Sequence, residues 1–289
     1  MKSLPLPNRT DARQHLETAV ETYDRGGKTY GYEATAHEID SVVALYDDYD
    51  AALGVASRPL KGEALDENFR AAIHSGYRFT YVGRKLSTIR SNLMHGVEQC
   101  PICGISPPSQ LDHYLPRSVY EPLSVYVRNL IPICYDCNHS KGDAVANIPS
   151  ERLLHAYLDE LPAGNFLRVV VNLDNGALLT QFEIDPDVVM PDLTRQRLSH
   201  QIKRLKLNER YAREINSYMT GHTVALHDAH MADGSNGVRV FLQRQAAVEI
   251  HAFHANHWRP VLLEALASHD DFCDGGFEVV LPMPAQAVA

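Results

Sequence analysis

Four of the five cysteines in this 289-residue chain fall in two Cys-x-x-Cys hooks, Cys100/Cys103 and Cys134/Cys137, with thirty residues between them. Two thiolates at that spacing hold two corners of a tetrahedron, and two such hooks close an S4 site that suits Zn²⁺. The gap exceeds the roughly 15–20 residues of a simple zinc ribbon, so something folded must lie between the hooks. That segment carries an Asp-His pair, Asp112 and His113, and an Asn-Leu-Ile-Pro run that begins at Asn129. Asn138 directly follows the last cysteine of the frame. Zinc-bound cysteines act as closed structural ligands, not as nucleophiles. A piece of about 45 residues buries too little apolar surface to hold itself together. Zinc binding, on the order of 10–16 kcal/mol, supplies that folding free energy instead. Cys273, outside the frame, reads as a buried, inert thiol.

The elements that must position these groups are short. Gln110–Tyr114 reads as a strand, and Arg128–Ile133 as a second extended piece interrupted by Pro132. Tyr135 to about Lys141 reads as a helix ending near Gly142. Upstream, residues 1–96 read as a helical region. Residues 11–25 carry Leu16, Val20 and Tyr23 at helical spacing and stop at Gly26-Gly27. A second helix runs from about Ala36 to Leu53, a third follows Asp66 as its N-cap, and a fourth is capped by Ser87 and closes at Gly96. Arg78, Arg84, Lys85 and Arg90 make the last third of this region basic, for phosphate contact or for plain solvation. Downstream, two apolar runs flank Asp174-Asn175-Gly176, a strong hairpin signal. From Asp192 onward the spacing is helical, with Asn208 as an N-cap, a loop at Gly234–Gly237 and Trp258 as an aromatic anchor.

The whole stretch Cys100–Asp143, about 45 residues, resembles the HNH (ββα-metal) endonucleases, in the subgroup clipped by four cysteines. The resemblance implies an α+β fold: a zinc-clipped ββα core embedded in a mostly helical chain with one β-hairpin. Its regions would be 1–96 (helical), 97–149 (nuclease motif) and 150–289 (hairpin plus helices). Cleaving a phosphodiester needs a base for water, a counter-charge for the transition state, and groups that hold both in line. By resemblance, His113 is the general base and Asp112 an oxygen ligand of a catalytic Mg²⁺ or Mn²⁺. Asn129 matches the asparagine that braces the loop holding the histidine. Asn138 stands where many members carry a third histidine, as a second metal ligand. His139 is adjacent, and helical neighbours point ~100° apart, so only one of the two faces the site. Lys141 shares the face of Asn138, where it touches a flanking phosphate or complements the helix dipole. The longer spelling LDHYLPRS…NLIPxCxxCNxxKGD is similar to nuclease effectors of anti-phage and retron-linked systems, which a partner ATPase or sensor restrains. The competing reading is a zinc-framed module that binds nucleic acid or protein without catalysis. The intact Asp112, His113 and Asn129 argue against it.

Bulk properties set the frame for this reading. A net charge of −9 is the wrong sign for a protein that coats nucleic acid without specificity. One run, Arg195 to Arg213, holds seven basic residues against Glu209. Within it, Lys203 and Arg204 are candidate contacts to a nucleic-acid backbone, DNA above all, or part of a solvated helix face. His222, His227, His230, His251, His254 and His257 share no ligand spacing. No apolar run approaches the ~18 residues of a membrane span, and the start of the chain lacks the apolar core of a secretory signal. Paired cysteines with metal spacing fit a reducing compartment, the cytoplasm.

Overall fold

Mixed helix and small antiparallel sheets make up the computed structural model, which describes residues 1–143 and 145–283. The chain divides into two units. One comprises Ser3–Asn147 with Leu154–Glu160. The other comprises Met1–Lys2, Ile148–Leu153 and the chain from Leu161.

In the first unit, helix α1 (Ala12–Val20) buries Leu16, Ala19 and Val20 and ends earlier than the glycine pair suggests. Gly26 and Gly27 instead turn a small hairpin, β1 (Tyr23–Arg25) and β2 (Lys28–Tyr30). Both glycines have positive φ, 60° and 74°, as a tight two-residue hairpin turn requires. Strands of three residues leave no readable alternation, and so the sequence shows only a helix stop there. Helix α2 (Ala36–Ala51) opens on a capping box in which Thr35 and Glu38 satisfy each other's backbone N–H groups. Helix α3 (Glu67–Gly76) is capped by Asp66, whose carboxylate accepts from the Asn68 and Phe69 amides. It packs on α1 so closely that a Cβ on Gly76 would stand 2.5 Å from the Ala19 carbonyl oxygen. Helix α4 (Ser87–Met94) starts at Ser87 without a side-chain cap and closes before Gly96, whose φ is +71°.

The motif follows as β3 (Gln110–His113), β4 (Leu130–Ile133) and α5 (Tyr135–Lys141). The two strands pair antiparallel from Gln110↔Ile133 to His113↔Leu130. Pro132 sits inside β4 opposite Leu111 rather than interrupting it. In a two-stranded sheet each strand has a free edge, so a missing N–H costs no ladder bond.

In the second unit, β5 (Leu167–Asp174) and β6 (Ala177–Ile184) form the expected hairpin, turning at Asn175 and Gly176, both with positive φ. Two asparagines clamp it. Asn208 accepts from the Phe182 amide at 2.7 Å and donates to its carbonyl at 3.0 Å. Asn256 accepts from the Phe166 and Leu167 amides. Asn208 therefore grips β6 and does not cap a helix; it lies inside α7 (Leu207–Thr220), which Lys206 precedes. Helices α6 (Asp192–Arg204), α8 (Thr223–Ala252), α9 (Trp258–Ala267) and α10 (Phe277–Val280) complete the unit. The expected loop at Gly234–Gly237 is helical but for a break at Asp233 and Gly234 within α8. Trp258 is buried against Tyr211 and Tyr218, and Cys273 is fully buried. No helix among the described residues is long and apolar enough to cross a membrane.

Candidate active site and metal centre

The two hooks meet. The sulfurs of Cys100, Cys103, Cys134 and Cys137 all lie within 4.8 Å of one another, and all four residues are buried. A tetrahedral zinc with bonds of about 2.3 Å spaces its sulfurs about 3.8 Å apart, and Cys103 and Cys134 stand at 3.7 Å. The first hook closes as a knuckle, with the Gly104 amide donating to the Cys100 carbonyl and the Ile105 amide to the Cys103 sulfur. The second hook is the entry to α5, where the Asn138 amide donates to the Cys134 carbonyl. Crowding pulls these thiols in opposite directions. Neighbouring sulfurs, Cys100 foremost, hold Cys134 far below the usual thiol range and push Cys137 far above it. A dication at the centre replaces the shared protons and lets all four act as ligands, so the donor set fits zinc in number, kind and spacing.

On the other side of the motif, a cleft of about 600 Å³ is lined by residues from β3, α5 and the segment Tyr77–Arg90. Asp112 and His113 both border it although successive strand residues alternate, because His113 ends β3 where the chain turns away. The His113 ring is nearly enclosed. Its Nε2 donates to the Ser124 carbonyl at 2.9 Å, which leaves Nδ1 as the unprotonated nitrogen of the neutral ring. Tyr77 stands edge-on to it at 4.4 Å and anchors itself by donating to the Leu111 carbonyl. Burial lowers the His113 pKa to about 3, against a smaller upward pull from the Ser124 carbonyl.

Asn129, fully buried, holds the loop that carries Ser124. Its Oδ1 accepts from the Leu115 amide at 2.8 Å, and its Nδ2 donates to the carbonyls of Leu115 and Leu123. Behind it runs a chain with one consistent set of protons. The Tyr157 amide donates to His155 Nδ1, so His155 Nε2 donates to the Tyr49 hydroxyl, which donates to Asn129 Oδ1. Among these residues Tyr49 and His155 escape a reading of the motif alone, because they come from α2 and from beyond the frame.

Lys141 is a last-turn cation of α5 and borders the cleft, and it is also paired. Its ammonium donates to Asp112 Oδ1 at 2.9 Å and to the His113 carbonyl at 2.7 Å, and both ends of this ion pair are buried. Burial raises the Asp112 pKa, and Lys141 opposes that rise. Asn138 faces the cleft and donates to the side-chain oxygen of Gln110, whereas His139 is exposed and stacks on Tyr135. The second carboxylate oxygen of Asp112 and the amide oxygen of Asn138 have no partner among the described residues. Two oxygen donors bordering this cleft are of the kind that a hard cation such as Mg²⁺ takes.

The basic run of the second unit is not one surface. Arg195 donates to the carbonyls of Asp185 and Val188, Arg197 to those of Arg152 and Leu153, and Arg210 is buried. Lys203 and Arg204 are exposed on α6. Arg117 and Tyr77, which border the cleft, carry no sequence signal of their own. Arg90 stood only in a basic stretch with two readings.

No family model matches the chain, and no solved structure matches it. It is similar to Protein ea31 of Escherichia phage lambda, 26% identical over 196 residues, which cover 63% of this chain and 66% of that protein.

Proposed function

We propose that the protein is a metal-dependent endonuclease of the HNH type that hydrolyses phosphodiester bonds in nucleic acid, DNA foremost. The observation that carries this reading is His113. A carbonyl holds its Nε2, and its Nδ1 is left to accept in a cleft shared with Asp112 and Asn138. In the reaction Nδ1 takes a proton from the attacking water, while the Nε2 N–H goes on donating to the Ser124 carbonyl and keeps the ring from turning. A base near pKa 3 is weak as it stands. A phosphate entering beside it stabilises the imidazolium and raises that pKa toward the working range. Asn129 holds the Leu115 and Leu123 carbonyls, and with them the loop that presents Ser124. Asp112 and Asn138 are the residues that would hold the divalent cation, which would supply counter-charge for the transition state. Zinc in the four-cysteine frame keeps β3 and α5 in register.

We further read the biological role as that of an anti-phage effector restrained by an ATPase or sensor partner, working in the cytoplasm. A phage-encoded relative is compatible with that role and names no activity. The deciding experiment incubates purified protein with plasmid, single-stranded DNA and RNA, with Mg²⁺, Mn²⁺ or no added divalent ion. Cleavage that needs the ion and disappears in His113→Ala is the expected result. Equal cleavage by a folded, zinc-loaded His113→Ala overturns it and leaves the non-catalytic zinc module.

A further inference from the structure

On a chain of net charge −9, most basic side chains that meet another element are balanced by a carboxylate or hold a carbonyl. Two guanidinium groups bordering the cleft, Arg90 and Arg117, have no carboxylate to balance them among the described residues, although Arg117 reaches the His74 carbonyl at 3.5 Å. The buried Nε of Arg90 has no hydrogen-bond partner among those residues. Each lies over an aromatic ring, Arg90 over Tyr81 at 5.6 Å and Arg117 over Tyr77 at 4.9 Å. The third cation of the cleft, Lys141, is bonded to Asp112. The cleft therefore offers two guanidinium groups without an ion-pair partner, against the carboxylates of Asp112, which Lys141 balances, and Asp143.

Beside them the rim is apolar. Tyr81 is 47% exposed and Val82 88% exposed, and both border the cleft. Gly83 follows with φ +75° and nothing within 4 Å of its Cβ position, so the chain turns sharply there in open space. A duplex turns its base faces inward and presents phosphates and sugars to such a rim, against which an exposed tyrosine and valine gain little. An unpaired strand presents base faces as well. Cations along the backbone with aromatic side chains for the bases are the pairing that single strands favour.

We propose that this cleft takes an unpaired polynucleotide strand, with phosphates flanking the scissile one on Arg90 and Arg117 and an adjacent base packed on Tyr81 and Val82. The proposal rests on the nuclease reading for the word "scissile". The binding it describes does not depend on cleavage.

The test is a binding titration of the full-length, zinc-loaded protein without added divalent ion. The probes are a labelled single-stranded DNA of mixed sequence, the RNA of the same sequence, and the DNA duplex. We expect one or both single strands to bind at least about tenfold more tightly than the duplex, the two single-strand arms identifying the sugar. Tyr81→Ser with Val82→Ser should weaken single-strand binding about tenfold and leave the duplex unchanged. Arg90→Gln and Arg117→Gln should each lower the log–log salt slope for the single strand by about 0.7. Arg117→Lys, which keeps the charge, should keep that slope and guards against a misfolded glutamine variant. Zinc content and melting temperature report folding throughout. A duplex bound as tightly as the tighter of the two single strands, or folded variants at Tyr81 and Val82 that bind like the parent, overturns the proposal. Single-strand binding without any cleavage under Mg²⁺ or Mn²⁺ would overturn the nuclease reading and leave this one standing.

Discussion

The four-sulfur cluster and the histidine cleft belong to the same short motif, yet they are held in different ways. The cluster is built from four copies of one side chain, and a single ion would satisfy all of them at once. The cleft is built from unlike groups, each fixed by a neighbour from another part of the chain: His113 by Ser124, Asp112 by Lys141, Asn138 by Gln110, Asn129 by Tyr49. The first arrangement gives folding free energy and is all-or-none. The second gives orientation, and its members can be removed one at a time.

The largest effect should therefore come from the cluster. Cys134→Ser should leave the chain insoluble or unfolded, since zinc supplies on the order of 10 kcal/mol to such sites, and metal analysis of the parent should find one zinc per chain. A folded, soluble Cys134→Ser protein would erase the distinction. His113→Ala should show the opposite pattern, with zinc content and melting temperature kept while turnover falls roughly 10²–10⁴-fold. Lys141→Met falls between the two. Removing one partner of a buried ion pair costs about 3–5 kcal/mol, and chemical denaturation at neutral pH should show a loss of that order. Adding Asp112→Asn should restore part of it. If the single variant is as stable as the parent, the ion pair is not what fixes Asp112.

At pH 5 a smaller effect, about 2 kcal/mol, follows from the buried imidazole. The His113 pKa is about 3 in the folded chain and near 6.5 when unfolded, so the unfolded state binds more protons between those values. Stability should fall as pH drops from about 6.5 toward 3, and His113→Asn should flatten that limb of the curve. The smallest change should come from the second unit. Lys203→Glu with Arg204→Glu should alter stability by no more than about 0.5 kcal/mol, because both side chains are exposed. If nucleic acid rests there, the salt slope on duplex DNA drops by about 0.9 per lost contact. An unchanged slope makes them solvated surface.

Identity and spacing made the cluster legible from sequence, because thiolate hooks are local: each needs four consecutive residues. The strands, α5 and the β5–β6 turn were legible for the same reason. What the sequence hid was long-range. Tyr77 lies 36 residues before the histidine whose ring it flanks, Arg90 reads as phosphate contact or plain solvation alike, and Arg117 carries no signal until the cleft places them together. Lys141 was read by helix face alone, which cannot say that a strand carboxylate lies opposite. Gly26-Gly27 and Asn208 were misread because a helix stop and a hairpin turn, or a cap and a strand clamp, use the same residues.

The segment Leu154–Glu160 has a practical consequence for anyone cutting the chain. It returns to the motif's unit, and His155 is the far end of the hydrogen-bonded chain that reaches Asn129 through Tyr49. A fragment ending at Asn147 would strip Tyr49 of that donor. A fragment starting at Cys100 would lose Tyr49 itself and the ring that flanks His113. The piece to transplant is thus not the zinc-framed motif but a stretch about three and a half times its length, Ser3–Asn147 with Leu154–Glu160 and the link between them. Grafts of the shorter motif onto another scaffold should bind zinc and do nothing else.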